Sequence, residues 1–135
     1  MSRIPHWEQR LAGAILEARI RPFVWGRHDC ATWAFDLRRD LMGGPDHADL
    51  WRGRYTTPVG ASRVMRKLGW SSLEEGGRAL LGLPLETVLL AQRGDLVLGG
   101  APEAFGVCLG GQVVFIGPDG LTDLPLSACH LAWRT

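Results

Sequence analysis

The sequence lacks the marks of several large protein classes. Its three cysteines, Cys30, Cys108 and Cys129, are an odd number with no CxxC spacing. That argues against both a disulfide framework and a zinc ribbon or finger, and free thiols point to a reducing compartment. Lysine occurs once, at Lys67; the other basic residues are scattered arginines, and the net charge is +1. Such a balance gives no electrostatic footprint for nucleic acid or an anionic membrane. No apolar run is long enough to cross a bilayer. The opening MSRIPHWEQRLAGAILEARIRP is interrupted by Glu8, Arg10, Glu17 and Arg19, so it has no apolar core of a signal peptide. Repeats, low-complexity tracts and linkers are also missing, and one domain over residues 1–135 is expected.

What is present reads as helices first and strands second. Trp7, Leu11, Ile15 and Ala18 fall at helical spacing before Pro22, which predicts a helix over Trp7–Arg19. Asp29 is a good N-cap, and Gly43-Gly44-Pro45 is a stop, which sets a second helix at Cys30–Met42. Asp46 to Thr57 reads as a loop or short irregular helix. Val59–Leu68 reads as a helix closed by Gly69, Ser72 with Glu75 as a capping box for another, and Pro84–Ala91 as one further turn. Beyond these, GDLVLGG, FGVCLGG, QVVFIG and SACHLAWR are short, Gly-bounded and rich in Val, Leu and Phe, with turns at Gly110-Gly111 and Asp119-Gly120. They predict an antiparallel sheet packed on the Cys30 helix, an α+β architecture.

The chemistry in this pattern centres on Cys30. A thiol in the first helical turn meets unpaired N–H groups and the positive end of the peptide dipoles, which favour the thiolate. A nucleophile also needs a base within hydrogen-bond reach. His28 is close in sequence but is expected to point outward or bond backbone, and His130 lies on the last expected strand, on the face opposite Cys129. His6 and His47 are expected at the surface. Asp29 is accounted for by capping. Cys108 and Cys129 are expected in the strand core, and a metal site from Cys30, Cys108, Cys129 and His130 has no support in the spacing. No cofactor is expected. The six tryptophans are the most unusual count. Trp25 and Trp33 flank Cys30, while Trp51, Trp70 and Trp133 fall near expected loops or ends, where exposure would imply a protein partner.

Trp25-Gly26, Asp29-Cys30, Gly94-Asp95-Leu96-Val97 and Gly106-Val107-Cys108-Leu109-Gly110 occur in that order. This series resembles the NlpC-type cell-wall cysteine peptidases of papain-like fold. The resemblance implies that Cys30 is the nucleophile, that the next base stands at the start of the Gly106 strand, and that a polar residue on the following strand orients it. The position for the base is Ala104, which takes no proton, and the following strand offers Gln112. Phe23-x-Trp25-Gly26, Asp29-Cys30-x-x-Trp33, Arg52-Gly53-Arg54-Tyr55-Thr56 and Ala132-Trp133-Arg134 further resemble a group of phage, prophage and gene transfer agent tail-region proteins with an NlpC-like domain. This implies a tail-tip or tail-assembly component, catalytically degenerate, with other tail proteins and peptidoglycan as the partners. It would be made in the bacterial host cytoplasm without a signal peptide and reside in the virion tail. The alternative is an active endopeptidase on peptidoglycan stem peptides, with Cys30 as nucleophile and His28 or His130 as base.

Overall fold

The computed structural model describes residues 3–135. The first helix, α1, spans Trp7–Ile20 and ends because Arg21, which precedes Pro22, is held in an extended conformation. The second, α2 (Cys30–Met42), has the expected bounds: the Asp29 side chain accepts from the Thr32 N–H, and Gly43 closes it at φ 74°. The third, α3 (Pro58–Lys67), starts one residue earlier than the sequence suggests. Pro58 occupies the first turn, where a missing N–H costs nothing, and Thr57 caps it through the Gly60 N–H. The fourth, α4 (Leu73–Leu81), is capped by Ser72, whose hydroxyl accepts from the Glu75 N–H at 3.1 Å, while Glu75 accepts from the Ser71 N–H. The turn expected over Pro84–Ala91 is reduced to a 3-10 turn at Val88–Leu90.

The five strands are β1 (Leu96–Gly99), β2 (Ala104–Cys108), β3 (Gln112–Gly117), β4 (Gly120–Pro125) and β5 (Cys129–Trp133). They form an antiparallel sheet in the order β4-β3-β2-β1-β5. The α+β architecture follows directly. The sequence reading had no strand at β4, because GLTDLP is polar, ends in proline and is exposed along most of its length. Those features suit a sheet edge, where charge and proline block further pairing. Its register is set by the tight turn that joins Gly117 to Gly120.

Strand alternation divides the core in two. Leu96, Leu98, Phe105, Val107, Val114 and Ile116 face α1 and α2, where Leu11, Phe35, Leu37 and Leu41 meet them. Val97, Cys108, Val113, Phe115, Cys129 and Ala132 face away, and are covered by Leu85, Val88, Ala91, Leu124 and Leu126. The tryptophan expectation is corrected at two positions. Trp51 is 5% and Trp133 1% exposed, so neither can anchor a partner. Trp133 gives its indole N–H to the Gly82 carbonyl at 3.0 Å, and Gly77 lies against its ring so closely that a Cβ there would sit 2.6 Å from it. Trp51 gives its N–H to Thr32 Oγ1 at 3.1 Å. Among the described residues, no helix is long and apolar enough to cross a membrane.

Candidate functional site

The WGRHDC segment folds into a tight loop closed by a two-way backbone pairing of Val24 with His28. Gly26 turns this loop at φ 79°, and any Cβ on it would meet the Tyr55 carbonyl oxygen at 2.5 Å. Glycine is therefore required both by conformation and by close approach. Asp29 is 1% exposed and is the hub. Its Oδ1 accepts from the Thr32 N–H at 2.9 Å; its Oδ2 accepts from the Gly26 N–H at 2.8 Å and from the Tyr55 hydroxyl at 2.5 Å. The segment Trp51–Thr56, read from sequence as irregular, is tied to the start of α2 by these same groups. Gly53 N–H donates to the Gly26 carbonyl at 2.9 Å, and Arg52 bridges Asp36 and Asp46. A lone aromatic hydroxyl and an arginine in a loop carry no local signal for these long-range partners.

This frame borders a groove of about 610 Å³ between the helices and the β1–β2 and β3–β4 ends of the sheet. Cys30 lines it, partly exposed, among Trp25, Tyr55, Met65, Trp70 and Phe105. The electrostatic expectation for Cys30 is reversed here. Burial, with the Asp29 charge second, pushes its thiol up to about 11; the backbone N–H groups of Phe105, Ala31 and Cys30 itself pull the other way and lose. At neutral pH the group is a thiol. Tyr55 is likewise raised, by burial and by its bond to Asp29.

The structure does not bring the candidate bases to Cys30. His28 is buried, 2% exposed, rather than pointing outward. It borders a different cavity, between α1 and α2. Burial first, then the Arg21 charge, lowers its pKa. His130 is exposed on β5, with its Nε2 2.9 Å from Glu103 Oε2. His47, expected at the surface, is partly buried edge-on against Phe35 at 5.9 Å between ring centroids. Among the described residues no histidine lines the groove, and none is hydrogen-bonded to Cys30.

Ala104 opens β2 and lines the groove as expected, but strand alternation packs its side chain with the far-face cluster and turns Phe105 toward the helices. Neither residue can take a proton. Gln112 is exposed at the other end of β3, paired with Pro125 beside the Gly110-Gly111 turn, so it orients nothing at this site. Cys108 and Cys129 are buried on the far face. Among the described residues, no group of three or more His, Cys, Asp or Glu side chains could hold a metal ion.

Asp95, the acid of the Gly-Asp landmark, lies outside the groove. It is fully buried and accepts from the Gln92 N–H at 2.8 Å, the Thr135 N–H at 3.1 Å and the Arg3 guanidinium at 2.9 Å. Its place in the motif is structural: it ties the start of β1 to Thr135, two residues past β5, and to the segment before α1.

Residues 2–135 match the model of a family described as a domain of unknown function, DUF6950. A comparison with curated proteins gives no match.

Proposed function

The chain belongs to the DUF6950 family, and we propose that it is a structural component of a phage, prophage or gene transfer agent tail, built on a papain-like NlpC-type scaffold that no longer carries out hydrolysis. The observation that carries this reading is the groove itself. Cys30 stands at the helix start bordering β2, where the family resemblance calls for a nucleophile, yet no histidine lines the groove and the thiol stays protonated. A cysteine hydrolase needs a base within reach and a group that holds it. What remains is an apolar, aromatic-lined surface suited to a protein partner, and other tail proteins at the hub or tip are the proposed occupants. Nothing in the charge favours nucleic acid. The proposed site of residence is the virion tail, after synthesis in the host cytoplasm.

The active endopeptidase is the competing reading. One observation favours it: Cys30 is the first residue of α2, whose first-turn backbone N–H groups are of the kind that holds an oxyanion. Complementation of a tail-defective phage or prophage separates the two. Cys30→Ala should support normal particle yield and infection, while Met65→Glu, which places a charge in the groove wall, should lower assembled tails at least about tenfold with the monomer still folded. Release of new amino groups from purified cell walls by the native chain, lost in Cys30→Ala, would establish the peptidase instead.

A further inference from the structure

Charge along this chain is sorted by region. Between Leu50 and Leu73 there are five basic residues and no acidic one; between Gly94 and Trp133 there are four acidic residues and neither lysine nor arginine. The fold sets these two regions on different sides of the apolar groove. On one side α3 lines it with Ala61, Met65 and Leu68. Helical spacing then puts Arg63, Arg66 and Lys67 on the flanks and outer side of that wall, all exposed, with Arg54 exposed just before it. On the other side is the β3–β4 end, where Pro118 and Thr122 line the groove and Asp119 and Asp123, next to them in the chain, are exposed. None of these charged side chains forms an ion pair among the described residues. The remaining charges at the groove are occupied: Arg78 holds Glu74 at 2.9 Å, Glu75 accepts from the Ser71 N–H, and Glu103 is held by His130. No lysine, arginine or histidine lines the groove itself.

A face with an apolar centre, a basic margin on one side and an acidic margin on the other is its own complement. A half-turn about an axis through the groove brings the basic margin of one copy onto the acidic margin of the next, and does so twice. The apolar centre and charged rim are also the usual build of a protein interface. The basic margin is under strain of its own, because Arg63 and Lys67 are like charges four residues apart on one helix. Opposite charge from a second copy relieves that repulsion. We propose that the groove face is the contact of a two-fold dimer of this chain. The inference rests on the reading of the groove as a partner surface and names one occupant, a second copy, which under that reading is itself a tail subunit.

Sedimentation velocity of the full chain over a concentration series reads the assembly. The expected result is a reversible monomer–dimer equilibrium that stops at the dimer and weakens as salt rises. Arg63→Glu with Lys67→Glu should weaken the dimer at least about tenfold, and Asp119→Lys with Asp123→Lys likewise, since each pair of changes sets like charge against like at both margins. An equimolar mixture of the two variants should associate as the native chain does, because each margin then meets its opposite; a folding defect would give no such rescue. A chain that stays monomeric, a mass that grows past the dimer, or a mixture that stays apart would overturn the proposal. The tail reading is decided separately, by the particle yield with Met65→Glu, which a different tail protein in the groove would lower even if this chain never met a second copy.

Discussion

Replacing Asp29 with alanine is expected to destabilise the chain by about 3–5 kcal/mol, a large share of the 5–15 kcal/mol that holds a typical domain. The carboxylate caps α2 through Thr32, which alone contributes about 1 kcal/mol. Its removal also strands the buried Gly26 N–H and the Tyr55 hydroxyl, at about 1–3 kcal/mol for each group left unpaired. Equilibrium urea unfolding followed by tryptophan fluorescence reads the loss. Tyr55→Phe removes one of those bonds and should cost about 1 kcal/mol. If Asp29→Ala cost no more than Tyr55→Phe, Asp29 would be a simple cap and not the hub joining the WGRHDC loop, α2 and the Tyr55 segment.

Asp95→Ala should be nearly as damaging, by about 3 kcal/mol, because it removes the carboxylate partner of the partly buried Arg3 and leaves two backbone donors without their acceptor. Arg3 would keep its bonds to the Thr135 and Arg93 carbonyls, so the damage centres on the start of β1 and the end of β5. Hydrogen exchange should show lost protection at Gln92, Thr135 and the β1–β5 pairing, with α2 little changed. A uniform loss across the chain, or a cost below about 1 kcal/mol, would contradict the role given to this residue.

The contrast between these two acids shows what the sequence could reveal. Asp29 was legible as a cap because capping depends on the residue type and the three that follow. The same locality made the bounds of α2 readable from Asp29 and Gly43, and the α+β order readable from the change in hydrophobic period. Tyr55 and Arg52 were not legible as partners of α2, since their bonds cross 26 and 16 residues of chain. Trp51 and Trp133 near expected loops suggested exposure, yet tertiary packing buries both. β4 escaped notice because an edge strand buries little and so needs little apolar alternation. The direction of the Cys30 titration was misread for a related reason. The helix dipole is visible in local sequence, whereas the burial that outweighs it comes from the fold around the groove.

That thiol offers the most direct measurement. Alkylation of Cys30 by iodoacetamide, followed by peptide mapping to separate it from Cys108 and Cys129, reports the thiolate fraction across pH. With the thiol pushed up to about 11, the native chain should react slowly at neutral pH, and the rate should climb about tenfold per unit without levelling while the fold persists. Rapid modification that levels off below about pH 8 would mean an activated thiolate. In that case the groove would hold a working nucleophile, and the proposed loss of hydrolysis would be wrong.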